Sequence, residues 1–212
     1  MLYSLCDAII APVTSDTVRR VVAGYRKNRI SGPHFVPSAV LIPLVCKGGE
    51  LHVLLTERTE EVGSHKGQVC FPGGSVHPDD KNLLETALRE AWEETGIDPA
   101  DVDIIGEIDD NVVASTGYVI TPFVGFVPYP YPFSPNVSET KEIFFVPLSL
   151  LMDESRFRDQ ERVIGPYSYQ GPVCDYDGHI IWGATARILK HLVSLLAATD
   201  DSSGPVLCDS SG

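Results

Sequence analysis

The apolar residues of the chain form several short runs separated by polar or glycine-rich turns, a pattern typical of strands in a layered sheet. The run AVLIPLVC at 39–46 predicts a buried strand, and LHVLLT at 51–56 predicts its hairpin partner across the turn at 47–50. Further strands are predicted at 69–71, 102–108, 119–127 and 142–146, and a last hairpin at 162–169 and 171–181. The segment at 109–117 reads as a hairpin loop.

Helical periodicity marks three other stretches. A helix is expected at about 17–27, with Ser15 or Asp16 as its cap, and a second runs from the Pro72-Gly73-Gly74 turn towards a stop at Gly96. The third, at 184–197, should dock one apolar side on the sheet through Ile188, Leu192 and Leu195. Strands interleaved with these helices predict an α+β fold, an α/β/α sandwich with a mixed sheet between helices.

Composition refines this picture into one main domain. The 212 residues are 43% hydrophobic, which is enough for a sizeable core. We expect a helical N-terminal extension at 1–37, the main domain at 38–198 and a disordered Ser/Asp/Gly-rich tail at 199–212. The absence of a long apolar run argues against a membrane span. Five scattered cysteines without a CxxC pair predict reduced thiols and a cytoplasmic protein.

The charge balance limits the partners. A net charge of −13 argues against binding nucleic acid through a broad basic surface. The same charge would repel a phosphate-bearing substrate unless a bound cation or a few local basic residues reversed the field. The sequence leaves the oligomeric state open, and a homodimer is compatible with it.

The second predicted helix carries Glu90, Glu93 and Glu94, which share one face because residues three and four apart are neighbours on a helix. Such a face is either a solvated acidic surface or a site for a hard divalent cation, since Mg²⁺ and Mn²⁺ prefer oxygen ligands. The histidines are dispersed without ligand spacing, so a histidine-based metal site is not expected.

The stretch REAWEETGI at 89–97 resembles the end of the Nudix box, G-x5-E-x7-R-E-U-x-E-E-x-G-U, where U is a bulky aliphatic residue. Arg89, the three glutamates, Gly96 and Ile97 all match. Upstream, one residue more than the general box allows separates Gly74 from Arg89. Lys81 stands where most boxes have a glutamate, so that glutamate is not carried over.

The residues LLTERTEEVGSHKGQVCFPGG at 54–74 resemble the additional motif of the coenzyme A pyrophosphatase branch, L-L-T-x-R-[SA]-x3-R-x3-G-x3-F-P-G-G. Two positions depart from it, because Thr59 replaces Ser or Ala and Gly63 replaces arginine. The segments NVSETKEIFFVPL at 136–148 and IWGATARIL at 181–189 also resemble this branch. The resemblance implies hydrolysis of coenzyme A or acyl-CoA to 3′,5′-ADP and (acyl-)4′-phosphopantetheine.

The resemblance also implies residue roles. Mg²⁺ or Mn²⁺ would be held by Glu90, Glu93, Glu94 and the Gly73 carbonyl. Catalysis would use Glu94, Glu93, Arg89 and Glu142, and substrate binding would use Arg58, Lys66, Gly73 and Gly74. The general base stays open between Glu94, a metal-bound water and a remote carboxylate, Glu139 or Glu142.

Two other functions compete with this one. Thr59 and Gly63 keep open another nucleoside diphosphate derivative, such as ADP-ribose or NADH, as the substrate. The second competing function is that of a non-catalytic Nudix-like binding module. The intact set of three glutamates counts against it, because a binding module has no need for three mutually repelling carboxylates.

Overall fold

A computed structural model describes residues 13–60, 67–164, 167–198 and 207–208. Their main feature is an eight-stranded mixed sheet with helices on both faces. Its strands are β1 Val36–Lys47, β2 Glu50–Arg58, β3 Val69–Cys70, β4 Gly73–Ser75, β5 Asp103–Glu107, β6 Asn111–Val113, β7 Tyr118–Phe126 and β8 Thr140–Pro147. A smaller sheet contains β9 Arg158–Ile164, β10 Tyr167–Tyr176 and β11 His179–Ile181. The helices are α1 Ser15–Gly24, α2 Leu83–Thr95, α3 Leu148–Met152 and α4 Gly183–Ala197.

The sheet is organised around β1, which pairs with three neighbours. It runs parallel to β7 and antiparallel to β2 and β4. Strand β2 also pairs antiparallel with β3 and β8, and β7 with β5 and β6. The continuous burial of β1 and β2 agrees with their apolar runs, because strands covered on both faces lose the alternation of an exposed sheet.

The two faces of the sheet carry different helices. On one face, Ala87 of α2 packs with Ala39 and Phe123. On the other face, α1, α3 and α4 share the largest apolar cluster, in which Val18, Leu151 and Leu192 are all buried. These layers confirm the predicted α/β/α sandwich. Helix α1 is built into this core and does not stand apart as an extension.

The ends of α2 follow from local chemistry. The Asn82 side chain accepts a hydrogen bond from the Glu85 N–H, which satisfies one free donor of the first turn. Gly96 ends the helix with a φ of 76°, a conformation that glycine adopts without steric cost. The predicted stop is therefore confirmed.

The glycine pair before α2 forms a strand instead of the predicted tight turn. Gly73 and Gly74 lie opposite Val40 and Ala39 in the ladder between β4 and β1. A Cβ on Gly73 would lie 2.5 Å from the Ala39 carbonyl oxygen. Glycine is needed here because two backbones approach closely, and no positive φ is involved.

The prediction of reduced thiols is wrong for one pair of cysteines. Cys46, at the end of β1, forms a disulfide with Cys208, across a Cα–Cα distance of 5.8 Å. The Leu207 N–H also donates to the Val13 carbonyl, and the Cys208 N–H donates to the Gly49 carbonyl. This part of the tail is therefore fixed to the domain, contrary to the expectation of disorder. The rest of 199–212 lies outside the described residues.

Several element boundaries also differ from the predictions. The last hairpin begins at Arg158, and Tyr169 and Gly171 share one strand, β10. The segment predicted as a hairpin loop contains a strand, β6, which pairs with β7. Helix α1 begins after Thr14, whose side chain accepts from the Thr17 N–H. Within the described part of the chain, no helix is long and apolar enough to cross a membrane.

Candidate active site

The three glutamates of α2 differ in how far they are buried against the sheet. The Glu94 side chain is only 4% exposed, whereas that of Glu93 is 46% exposed. Burial raises the pKa of Glu94 to about 7, although a hydrogen bond from the Gly73 N–H and the nearby Arg58 act in the opposite direction. Burial also raises the pKa of Glu90. Ionisation of these two carboxyl groups is therefore disfavoured by burial, and the nearby arginines offset that cost only in part.

Strand β4 supplies the surface against which these carboxylates pack. The Gly73 N–H donates to Glu94 Oε2 at 3.1 Å. A Cβ built on Gly74 would lie 2.5 Å from Glu90 Oε1, so the absence of a side chain lets that carboxylate reach the backbone. The two glycines thus have separate roles, one facing β1 and one facing the glutamates.

Arg89 lies at the centre of a partly buried ion-pair network along α2. Its guanidinium binds Asp80 in a bidentate manner at 3.0 Å for both bonds and also contacts Glu90 and Glu93 at 2.8 and 3.1 Å. Asp80 further accepts from the Thr86 hydroxyl and the His77 N–H. These hydrogen bonds, led by the one from Arg89, hold the pKa of Asp80 well below its usual range.

Arg58 reaches the same site from the end of β2. Its Nη1 donates to Glu94 Oε1 at 3.1 Å, and its Nη2 lies 3.8 Å from Glu139 Oε2. The Glu139 segment is fixed on two sides, because the Thr59 N–H donates to the Glu139 carbonyl and the Asn136 N–H donates to the Glu94 carbonyl. The charge of Glu139 contributes to the raised pKa of both Glu90 and Glu94.

We name this group the helix site. It consists of two arginines and five carboxylates: Arg58, Asp80, Arg89, Glu90, Glu93, Glu94 and Glu139. The arginines leave three negative charges uncompensated. All available ligand atoms are hard oxygens, and the pKa values of Glu90 and Glu94 are raised, so the charge and donor type suit a divalent cation such as Mg²⁺ or Mn²⁺.

Comparison with known proteins decides the family. The NUDIX domain model matches residues 35–165. A relative named "Uncharacterized Nudix hydrolase NudL", from Yersinia pestis (strain Pestoides F), is 39% identical over 155 residues, which cover 73% of this chain and 77% of the relative. The chain belongs to the Nudix family. A protein of the same name from Yersinia pseudotuberculosis serotype O:1b (strain IP 31758) matches equally well.

Solved structures agree with this fold. A Caenorhabditis elegans Ap4A hydrolase complex covers 77% of this chain and 96% of its own, with a TM-score of 0.51 and 14% identity. A MutT/nudix family protein from Enterococcus faecalis covers 83% of this chain and 69% of its own, also with a TM-score of 0.51, at 13% identity. As a Nudix pyrophosphohydrolase, the chain acts on diphosphate bonds, and the fold is the Nudix α/β/α sandwich.

The structure brings most of the predicted Nudix site residues together, with two exceptions. Glu142 lies opposite Glu57 in the β2–β8 ladder, and its side chain faces His179 at 3.8 Å. No described interaction joins it to the carboxylates of the helix site. Lys66 lies outside the described residues, so its role stays a prediction. The interaction seen for Gly73 is donation by its N–H, and metal binding by its carbonyl also stays a prediction.

One member of the helix site, Asp80, has no catalytic or binding role in the predictions from sequence. Asp80 precedes Lys81, the position at which the general Nudix box has glutamate, and the extra residue after Gly74 was the available signal for a shifted acid. Lys81 instead pairs with Glu85 on the surface. Glu139 and Glu142 are alternative candidates for the general base in the sequence. The structure places Glu139 beside Arg58 and places Glu142 opposite Glu57, and neither contact is visible in a single sequence.

Proposed function

We propose that this Nudix enzyme hydrolyses the diphosphate of coenzyme A or acyl-CoA to 3′,5′-ADP and (acyl-)4′-phosphopantetheine. The observation that carries the proposal is the contact between two motifs. Arg58 and Gly73 belong to the stretch at 54–74 that resembles the coenzyme A branch, and both contact Glu94 of the Nudix box. The part of the chain that suggests the substrate is therefore joined directly to the part that suggests the reaction.

The first requirement of the reaction is a cation, since the chain carries a net charge of −13 and the substrate is an anion. In this proposal Glu90, Glu93 and Glu94 hold Mg²⁺ or Mn²⁺, together with the Gly73 carbonyl. When bound, the metal supplies positive charge to the diphosphate and lowers the pKa of water.

The two arginines have different tasks in this proposal. Arg89 is fully engaged with carboxylates and the Ser75 carbonyl, so it positions Glu90 and Glu93 for their role as ligands. Arg58 is only 21% exposed and bridges Glu94 and Glu139 through its Nη atoms. In this proposal its Nη2 exchanges the 3.8 Å contact with Glu139 for a phosphoryl oxygen when a substrate arrives.

Glu139 is the carboxylate that we propose as the acceptor of the proton from the attacking water. Its side chain is 46% exposed and lies beside Arg58, so it is open to solvent at the edge of the site. Glu142, the other remote carboxylate considered, lies with His179. Glu94 is already occupied by Arg58 and the Gly73 N–H, which suits a metal ligand better than a mobile base.

One departure from the coenzyme A motif has a local explanation. The Thr59 hydroxyl donates to the Ser138 carbonyl at 3.0 Å, next to Glu139. A serine could make the same bond, so this substitution supports the position of the Glu139 segment without changing substrate contacts. The second departure, Gly63, lies outside the described residues. Because it replaces an arginine of the motif, ADP-ribose and NADH are included as alternative substrates in the test below.

A panel of substrates tests the proposal. Purified protein is incubated with Mg²⁺ or Mn²⁺ and coenzyme A, acetyl-CoA, ADP-ribose or NADH, and the products are separated by chromatography. We expect 3′,5′-ADP from the first two, at a higher kcat/KM than any product of the last two. Cleavage of ADP-ribose or NADH without cleavage of coenzyme A would reject the proposed substrate. Glu94→Gln serves as the inactive reference. If the wild type cleaves none of the four compounds faster than this variant does, a non-catalytic binding module is favoured.

A further inference from the structure

A second group of metal-ligating side chains lies away from the helix site. Glu57 of β2, Glu142 of β8 and His179 of β11 each offer one donor atom, and these atoms lie within 4.8 Å of one another. We name this group the histidine cluster. It joins three strands from two different sheets, and its members are separated by dozens of residues in the sequence, so no local spacing marks it.

The imidazole of His179 is held in one orientation. Its ring stacks on Phe144 with a centroid distance of 3.9 Å and an interplanar angle of 6°. Nδ1 lies 3.0 Å from Glu57 Oε2, and Nε2 lies 3.8 Å from Glu142 Oε2. A single ion would bind only one of these two nitrogens, and the stacked ring has little side-chain entropy left to lose when it does so.

The distances are close to those that a single ion requires. Two ligands that each lie about 2.1 Å from one ion are at most about 4.2 Å apart, so the cluster must contract by about half an ångström. Glu142 can supply this movement because its side chain is 51% exposed, whereas those of Glu57 and His179 are only 15% and 13% exposed. The exposed side also leaves room for water as an additional ligand.

The charge of the cluster favours a cation. Two carboxylates face one imidazole, and the cation paired with them among the described residues is Lys141, whose Nζ lies 2.5 Å from Glu57 Oε1. The Lys141 side chain is 59% exposed, so it can leave Glu57 for solvent at little cost. A divalent ion carries twice the charge of the ammonium group that it would displace.

We propose that the histidine cluster is a second metal site, selective for a borderline transition-metal ion such as Co²⁺ or Zn²⁺. One imidazole nitrogen with two carboxylate oxygens suits these ions better than Mg²⁺, which prefers oxygen ligands alone. The ion would cross-link β11 of the small sheet to β2 and β8 of the large sheet. This proposal does not rest on the substrate or on hydrolysis.

The site is separate from the helix site because neighbouring residues of a strand point to opposite faces. Arg58 reaches Glu94 on the α2 side, whereas Glu57 reaches His179. Phe144, beneath the imidazole, belongs to the apolar cluster on the α4 side of the sheet. The two sites can therefore be tested one at a time.

The test uses the full chain with the helix site disabled by Glu90→Gln and Glu94→Gln. The metal-free protein is titrated with Co²⁺, followed by visible absorption and calorimetry, and separately with Mg²⁺. We expect one Co²⁺ per chain, no comparable Mg²⁺ binding and a rise in melting temperature on adding Co²⁺. Adding His179→Gln should weaken Co²⁺ binding at least about tenfold, whereas the control His52→Gln, on β2, should not change it.

A second variant tests the competition with Lys141. Lys141→Met removes the ammonium group, so Co²⁺ should bind about two- to fivefold more tightly. Unchanged Co²⁺ affinity in His179→Gln, or no Co²⁺ binding before that change, would overturn the proposal and leave an ion-pair cluster. If His179→Gln does not fold, Lys141→Met decides the test: Co²⁺ binding that is equal to or weaker than that of the parent protein overturns the proposal. Neither result bears on whether the wild type hydrolyses coenzyme A with Mg²⁺, so this proposal and the proposed function fail separately.

Discussion

Glu57 and Arg58 are adjacent on β2, yet they belong to two different clusters. Arg58 points to α2 and compensates Glu94, which is nearly inaccessible to solvent. Glu57 points to β11, where an imidazole and an exposed lysine surround it. The helix site combines carboxylates with two ion-paired arginines, and the histidine cluster combines carboxylates with an imidazole and an exposed lysine. The difference shows how strand alternation can place neighbouring residues in two chemically distinct clusters.

The largest expected effect distinguishes the helix site from a mere acidic surface. Glu94→Gln should lower kcat by more than the roughly 10- to 100-fold that loss of a group supporting a metal ligand costs, because here a proposed ligand itself is lost. The amide can still accept from Gly73, so far-UV circular dichroism should not change. Steady-state kinetics with Mg²⁺ and coenzyme A measure the loss. A kcat within threefold of wild type would remove Glu94 from the catalytic group.

Replacing Glu139 should have the next largest effect and separates it from Glu142. Glu139→Gln should lower kcat by about 10²-fold if it accepts a proton, the lower part of the roughly 10²- to 10⁴-fold range of a positioned catalytic carboxylate. Glu142→Gln is the matched control on the other face of the sheet, and its kcat should stay within about threefold of wild type. The pH–rate profile should lose its acidic limb only in the first variant. If Glu142→Gln lost activity and Glu139→Gln did not, Glu142 would be the general base instead.

In the metal-free protein, the free energy of unfolding should depend on pH because the Glu94 carboxyl group is buried. The pKa of Glu94 is raised to about 7, so between its ordinary pKa and 7 the folded chain binds more protons than the unfolded chain. Stability must then fall as the pH rises through this window, by about 3 kcal/mol when complete. Calorimetric melting of metal-free wild type should show a loss on the order of 10 °C between pH 5 and pH 8.

Two additions make that measurement specific. The loss should be largely absent in Glu94→Gln, which cannot ionise, and Mg²⁺ should reverse it at pH 8 by binding the ionised carboxylate. If metal-free wild type and Glu94→Gln lose the same stability, the buried carboxylate is not the cause.

The smallest expected effect concerns the glycine pair. Gly74→Ala places a Cβ 2.5 Å from the Glu90 carboxylate, the movable end of a side chain, so kcat should fall about tenfold while the fold survives. Gly73→Ala meets the Ala39 backbone and should chiefly lower the melting temperature. Gly24→Ala, with open space around its Cβ, is the control. Equal effects of the two replacements on kcat and on melting temperature would contradict this division.

Much of the fold was predictable because its elements are encoded by local patterns. The buried runs of β1 and β2, the stop of α2 at Gly96 and the apolar side of α4 follow from periodicity and backbone preference. The glycine strand β4 was mistaken for a turn because Pro-Gly-Gly is also typical of turns, and only the pairing with β1 distinguishes the two. The disulfide was missed because Cys46 and Cys208 are 162 residues apart.

The sequence by itself indicated the reaction class through the resemblance of residues 89–97 to the Nudix box, and helix geometry placed Glu90, Glu93 and Glu94 on one face. The tertiary structure alone decided which distant groups complete the site. Arg58 is 36 residues from Glu94, and the position of Glu142 opposite Glu57 depends on strand register. The histidine cluster depends on the same kind of contact, since three strands must pair and pack before its donor atoms come together. Local spacing specifies contacts within an element, and packing specifies contacts between elements.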